Sequence, residues 1–295
     1  MSLLLPNKPI KIIPINELER IICTRHSIDI WNTEGIKTKN LRVNLDHITD
    51  AILINKTILV ASGIGNGISK LIWLDIKTNE ILKTISSFNK TIASLNYYKQ
   101  RDWIIVFVYY NIVHIYQASE YSLVKNIDFD FHLTNPITVH SLNTIIGIDY
   151  SNSEYHGINL TDFTEQHLPK EIISIEGFNE KYNYIITVGS HTLNIFDLNQ
   201  QILIHSIKFE GPIYRILVSP DCEVIFVALI YNNAFFYDAK NFNLITQFEH
   251  NNNPINTDFE DFFWPVAFNT NSKSVIVGCH TNEVYDKDIY EKLRL

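Results

Sequence analysis

The sequence predicts an all-β fold: one seven-bladed β-propeller domain over residues 1–295, made of four-stranded antiparallel blades and closed into a ring by the N-terminal strand. Three observations predict it. A large, mostly aromatic residue closes a short strand at Trp31, Trp73, Tyr116, Leu160, Phe196, Tyr237 and Tyr285, in steps of 42, 43, 44, 36, 41 and 48 residues. A period near 40 residues carrying four short strands is how propeller blades read. Strands such as Trp103–Val108 are apolar on both faces and must be covered on both, whereas the stretch from Ile81 to Ile85 is mixed and can meet solvent. No stretch sustains a helical period, although residues 285–295 fit a short closing helix.

Taken in order, the first blade reads as strands at 10–15, 20–24, 27–31 and 40–45. The second reads as 48–54, 57–62, 71–74 and 81–88, with Gly63-Ile64-Gly65-Asn66-Gly67 as a flexible loop between its middle strands. The third takes 91–97, 103–110, 112–116 and 123–129, and the fourth, the poorest match to the pattern, 137–142, 144–148, 155–160 and 165–168. The fifth takes 172–178, 184–188, 192–196 and 202–209. The sixth is the template: 213–218, the turn Ser219-Pro220-Asp221-Cys222, 224–230, the turn Asn232-Asn233, 234–237, and 244–250. Proline presets a type I turn, aspartate bonds its own backbone and asparagine tolerates a left-handed residue, so these punctuation marks have a mechanism. The seventh blade has 263–268, 275–279 and 283–285 but no fourth strand, which residues 2–5 are expected to supply.

Composition narrows the class. With 46% hydrophobic and 19% charged residues the chain can bury a large core and is not a disordered segment. Cys23, Cys222 and Cys279 are far apart and form no CxxC pair, which argues against a disulfide framework or zinc knuckle and for a reducing, intracellular setting, cytoplasmic or nuclear. The Leu3-Leu4-Leu5-Pro6 run is too short for a signal-peptide core or a membrane span, so the Asn-x-Thr sequons at Asn55, Asn89 and Asn159 carry no expectation of glycosylation. The net charge of −8 is unevenly placed: residues 1–101 hold 14 Lys and Arg against 8 Asp and Glu, and the rest hold 10 against 24. Lys8, Lys11, Arg20, Arg25, Lys37, Lys39 and Arg42 all fall in the first blade, which concentrates positive field on one sector.

The residues also resemble a known family, the WD-repeat β-propellers. Ser219-Pro220-Asp221 before an apolar strand is similar to that family's first turn, and Asn269-Thr270-Asn271-Ser272-Lys273 is a looser copy. Phe196-Asp197, Tyr237-Asp238 and Trp73-Leu74-Asp75 stand where the family places its Trp-Asp. Six residues separate Asp75, Gln117 and Asp238 from Ile81, Leu123 and Leu244, and five separate Asp197 from Ile202, as in the family's turn into the outer strand. The chain departs from the family in having no Gly-His dipeptide and no Asp-Gly turn between inner strands. The resemblance implies a non-catalytic scaffold or adaptor that holds proteins together as a subunit of a larger complex, without cofactor, metal or catalytic residues.

Two other classes compete with it. The basic sector, with Lys37, Lys39 and Arg42, suits a polyanion such as RNA or a phosphoinositide headgroup. A calcium-dependent propeller hydrolase or lactonase would place carboxylates and amides in a central channel, with Glu154, Glu176 and Asn96 as candidates. Gly63-x-Gly65-x-Gly67 with Lys70 is not a phosphate loop, because a strand follows it where a helix N-terminus is needed. Gly189-Ser190-His191 lacks the GxSxG elbow, and no histidines pair as HxH or HExxH. Of Tyr97-Tyr98 and Tyr109-Tyr110, strand alternation sends one of each pair into the core. The long connection after His250 carries Asp258, Phe259, Glu260, Asp261 and Phe262, an acidic and aromatic run expected to bind a partner protein. Phe263 and Trp264 are expected to begin a core strand instead.

Overall fold

The computed structural model describes residues 2–4, 9–109, 111–130, 133–139, 143–149, 155–167, 175–197, 200, 202–230, 233–249, 266–278 and 283–288. It is a β-propeller of four-stranded antiparallel blades. The chain divides into two compact units, Met1–Asp130 with Phe263–Lys287, and Phe131–Phe262 with Asp288–Leu295.

The first unit holds blade A (Pro9–Pro14, Glu19–Thr24, Ile28–Asn32, Lys37–Leu41), blade B (His47–Ile54, Ile58–Gly65, Ile68–Asp75, Glu80–Phe88) and blade C (Ile92–Tyr98, Trp103–Val108, Ile112–Gln117, Ser122–Asp128). It also holds a terminal sheet of Val266–Phe268, Ser274–Gly278 and Glu283–Asp288, whose fourth strand is Ser2–Leu4. That last pairing is antiparallel, with Ser2 opposite Tyr285 and Leu4 opposite Glu283. The second unit holds sheet D (Leu133–Val139, Thr144–Asp149, Tyr155–Asn159, Glu165–His167), blade E (Ile175–Asn179, Tyr184–Val188, Thr192–Asp197, Ile202–Lys208) and blade F (Ile213–Val218, Val224–Leu229, Asn233–Asp238, Leu244–Glu249).

Five sheets, A, B, C, E and F, share a full blade signature of two register shifts. The first lies between the first two strands and leaves one residue over: Ile10, Thr49, Ala93, Glu176 or Tyr214. The second lies between the last two strands and leaves over Thr38, Leu82, Val124, Ile204 or Ile245. Each extra residue bends its strand and increases the local twist. Seven equivalent blades were the expectation; among the described residues five carry both shifts. The fourth strand of sheet D and the first and fourth strands of the terminal sheet are three residues long, which leaves no length for the missing shifts.

Second strands are covered on both sides, as their composition demands. In blade B, Leu59 and Ala61 pack with Ile72 and Leu74 toward blade A, against Ile21, Cys23 and Ile28. Val60, with Leu71 and Trp73, packs the other way, against Ile92, Ile104 and Val106 of blade C. Tyr184, Ile186 and Leu193 of blade E meet Ile216, Ile225 and Val227 of blade F in the same manner. Each of the Leu, Ile and Val side chains named contributes on the order of 2 kcal/mol by leaving water.

Several strand limits differ from expectation for physical reasons. The fourth strand of blade A is Lys37–Leu41, not 40–45, because a strand on a solvated edge needs no apolar residues. The first strand of sheet D begins at Leu133 and contains Pro136 inside its register shift, where a missing N–H breaks no ladder bond. Gly63 and Gly65 lie within the strand Ile58–Gly65, not in a flexible loop. A Cβ on Gly63 would stand 2.1 Å from the carbonyl oxygen of His47, and one on Gly65 2.6 Å from that of Asn44. These glycines let the connection from blade A lie against the hairpin, where Asp46 N donates to Ile64 O at 2.7 Å. Residues 283–288 form a strand, so a helix over 285–295 is not how this stretch begins.

Candidate interaction surface

The second register shift builds the surface. On a fourth strand, the left-over residue and the residue before it both face outward, because the extra residue has no ladder partner. In blade B this pair is Ile81 and Leu82, in blade C Leu123 and Val124, and in blade E Leu203 and Ile204 with Ile202 just before them; all are exposed. Leu244 of blade F is exposed, and its bulged neighbour Ile245 is half-buried. Leu123 keeps 53% of its surface in water and Leu203 51%, high values for aliphatic residues on a strand. The same step of five or six residues from the end of a third strand reaches each of these positions.

Blade A carries polar residues at the same place, Lys37 and Thr38. Lys37 Nζ lies 2.7 Å from Asp29 Oδ1, a buried carboxylate that also accepts from Asn40 Nδ2 at 2.7 Å and Ser27 Oγ at 2.9 Å. Lys39 Nζ donates to the carbonyls of Ile76 and Lys77 in blade B, at 2.9 and 2.5 Å. Arg42 donates its backbone N–H to Asn79 Oδ1 at 3.0 Å. The three residues thus lie along one edge, where two of the three side-chain charges are engaged by groups of the protein.

The other expected residues fall in different places. Asp258, Phe259, Glu260, Asp261 and Phe262 lie outside the described residues, as do Phe263, Trp264 and Glu154. Asn96 and Glu176 are half-buried on first strands of blade C and blade E, which belong to different units. Among the described residues no three or more His, Cys, Asp and Glu side chains are grouped to hold a metal ion. Tyr98 is buried and Tyr97 half-buried, as alternation requires; Tyr109 is exposed in the turn after its strand, and Tyr110 is outside the described residues. A shallow groove beside the long hairpin of blade B is lined by Ile68, Ser69, Ser86, Ser87, Asn89 and Lys90 among others, with no carboxylate in its wall to act as an acid or base.

Two buried polar hubs, one in each unit, hold neighbouring blades together. Asp50, on the first strand of blade B, accepts from Lys11 Nζ of blade A at 2.5 Å and from Leu95 N of blade C at 2.8 Å, as well as from Ala51 N at 2.8 Å. In the second unit Asn179 Nδ2 donates to Tyr184 OH at 3.1 Å and to Cys222 O of blade F at 2.8 Å, and Tyr184 OH donates to Ala239 O of blade F at 2.8 Å. Burial pushes the Tyr184 phenol well above its ordinary range, so it remains a donor at any physiological pH. Burial, partly offset by Lys11, likewise pushes the Cys23 thiol up to about 12 and keeps it unreactive.

A third polar cluster is local to blade C. Asp102, in a left-handed conformation with φ 55°, accepts from Tyr97 OH at 2.9 Å, Gln117 Nε2 at 3.3 Å and Ser119 N at 3.0 Å. Desolvation opposes its ionisation, but these hydrogen bonds outweigh it and hold the carboxyl below the usual range. Burial, together with the bond to that carboxylate, raises the Tyr97 phenol to about 12. The Trp73 indole lies edge-on to Tyr116 at 5.9 Å and Tyr121 at 5.8 Å, and its buried N–H has no acceptor among the described residues.

No family model matches the sequence, and no curated protein matches it. Among the described residues no helix is long and apolar enough to cross a membrane.

Proposed function

We propose that this chain is a non-catalytic scaffold, similar to WD-repeat proteins, that binds other proteins as a subunit of a larger complex in the cytoplasm or nucleus. In this reading the propeller is closed by the pairing of the N-terminal strand. The observation that carries the functional reading is the recurrence of exposed aliphatic pairs at one bulged position in blades B, C and E. An isolated exposed leucine means little, but the same exposed pair rebuilt by the same bulge on blade after blade gives apolar patches of the kind protein partners cover. The polyanion reading has less support, because Lys37 and Lys39 commit their ammonium groups to Asp29 and to backbone carbonyls.

The test compares the intact chain with Leu123→Ser/Val124→Asn and Leu203→Ser/Ile204→Asn variants in co-purification at moderate salt, with melting curves as a control on folding. Partners lost from a variant that melts normally support the scaffold. Identical partners on all three proteins reject this surface. Partners released in proportion to salt point to the polyanion class, and thermal stabilisation by calcium points to the hydrolase.

A further inference from the structure

Blades A and B meet at a pair of histidines that neither the scaffold reading nor the packing uses. His26 sits in the turn between the second and third strands of blade A, and His47 begins the first strand of blade B. Both are exposed, and their ring centres lie 5.0 Å apart with the planes tilted by 53°. We propose that His26 and His47 form a two-histidine site for a borderline transition-metal dication such as Cu²⁺ or Zn²⁺, which clamps the blade A turn to blade B.

The spacing suits a shared ion. A metal about 2.1 Å from an imidazole nitrogen stands roughly 3.2 Å from that ring's centre, so two ligands opening by 90° to 110° place their centres about 4.5–5.2 Å apart. The observed separation falls within that interval. His26 is also oriented as a ligand would be, since its Nδ1 lies 2.9 Å from the carbonyl oxygen of Asp46. Donation from Nδ1–H to a carbonyl fixes the tautomer that leaves the Nε2 lone pair free to bind a metal.

The backbone holds both rings in register. Ile48 N donates to Arg25 O at 2.8 Å, which ties the residue after His47 to the residue before His26. Thr24 Oγ1 accepts from His26 N at 3.3 Å and Ser27 N at 3.0 Å, which fixes the turn. Asp46 Oδ2 accepts from Asn66 N at 2.7 Å, which anchors the other segment. The Asp46 carboxylate is thereby turned to the hairpin and is not counted as a third ligand. Water would complete the coordination shell, and the exposure of both rings gives the ion its path in.

Copper is the sharper probe, because divalent affinity for nitrogen ligands peaks at Cu²⁺. The full chain is titrated with Cu²⁺ and with Zn²⁺ by calorimetry, beside His26→Gln, His47→Gln and, as a control, His205→Gln, whose ring stacks on Phe242 at 4.8 Å in blade F. The expected result is one equivalent bound, at least tenfold weaker in either site variant and unchanged in the control, with metal-free melting curves alike for all four proteins. Pulsed electron paramagnetic resonance of the copper form should count two imidazoles. Binding that survives both site substitutions, absence of binding up to millimolar metal, or a count other than two overturns the proposal. If a glutamine variant melts early without metal, the imidazole count on the unaltered chain decides.

Discussion

Asp50 joins three first strands through one carboxylate, whereas Asn179 and Tyr184 join blades E and F through neutral groups alone. Both hubs satisfy buried polar atoms between neighbouring sheets. They differ in what happens when one member is lost. Removing a neutral partner leaves an unpaired carbonyl or hydroxyl, at about 1–3 kcal/mol. Removing a buried charge strands its counter-charge and every donor gathered around it, at about 3–5 kcal/mol when both ions are dry. Lys11 keeps about a third of its side chain in water, which softens the loss at Asp50 to the lower end of that range. A carboxylate with four lone-pair sites can serve three strands at once, and an amide cannot do the same with its single oxygen.

The largest effect is expected from Asp50→Ala, which leaves Leu95 N and Ala51 N without acceptors and should cost about 3 kcal/mol in urea unfolding. An effect below about 1 kcal/mol would show that the charged hub is no stronger than the neutral one. Next comes Tyr184→Phe, which deletes both hydrogen bonds of the phenol in a site that is already packed. About 1.5 kcal/mol is expected, with no dependence on salt between 50 mM and 1 M. Lys11→Met should cost less, about 0.5–1 kcal/mol, since Asp50 keeps its two backbone donors. A loss as large as that of Asp50→Ala would mean that the ion pair, not the backbone bonds, carries the hub.

The smallest effect separates a carboxylate that joins blades from one that serves its own turn. Asp102 is depressed in the folded state, so its contribution is present above its unfolded value of about 4 and is lost as pH falls through the lower folded value. The unaltered chain should lose stability below pH 4 more steeply than Asp102→Asn. Parallel acid profiles for the two proteins would remove Asp102 from the account.

The same contrast between joining and local features explains what could be read from the sequence. Trp31, Trp73, Tyr116, Phe196, Tyr237 and Tyr285 all fall inside third strands, because the same strand recurs once per blade at a period near 40 residues. Leu160 falls one residue beyond its strand, in the sheet whose pattern was poorest. The polar edge Lys37–Leu41 escaped, since nothing in Lys-Thr-Lys-Asn distinguishes a solvated strand from a loop. Gly63 and Gly65 read as flexible because a glycine forced by the approach of another backbone looks the same in sequence as one in an open loop.

The surface was half legible. The step from Asp75 to Ile81, from Gln117 to Leu123 and from Asp238 to Leu244 marked the right residues as the start of a fourth strand. What it did not carry was the bulge, which depends on the pairing of two strands and turns Ile81 with Leu82, and Leu123 with Val124, outward together. The Asp50 and Tyr184 hubs were not read at all. Their partners are 39, 45 and 55 residues away, and a single aspartate or tyrosine in a strand has no pattern of its own.

The terminal sheet imposes an order of events on synthesis. Ser2–Leu4 is made long before its partners Glu283, Val284 and Tyr285, which lie far along the chain. Blades A, B and C contain only local pairings and can form while the chain is still growing, in keeping with the speed of short-range contacts. Ser2–Leu4 must wait through all of that before it can pair with Glu283–Asp288. Losing Ser2–Leu4 therefore removes more than its few residues: it leaves the edge of Glu283–Asp288 open to pair with the next molecule.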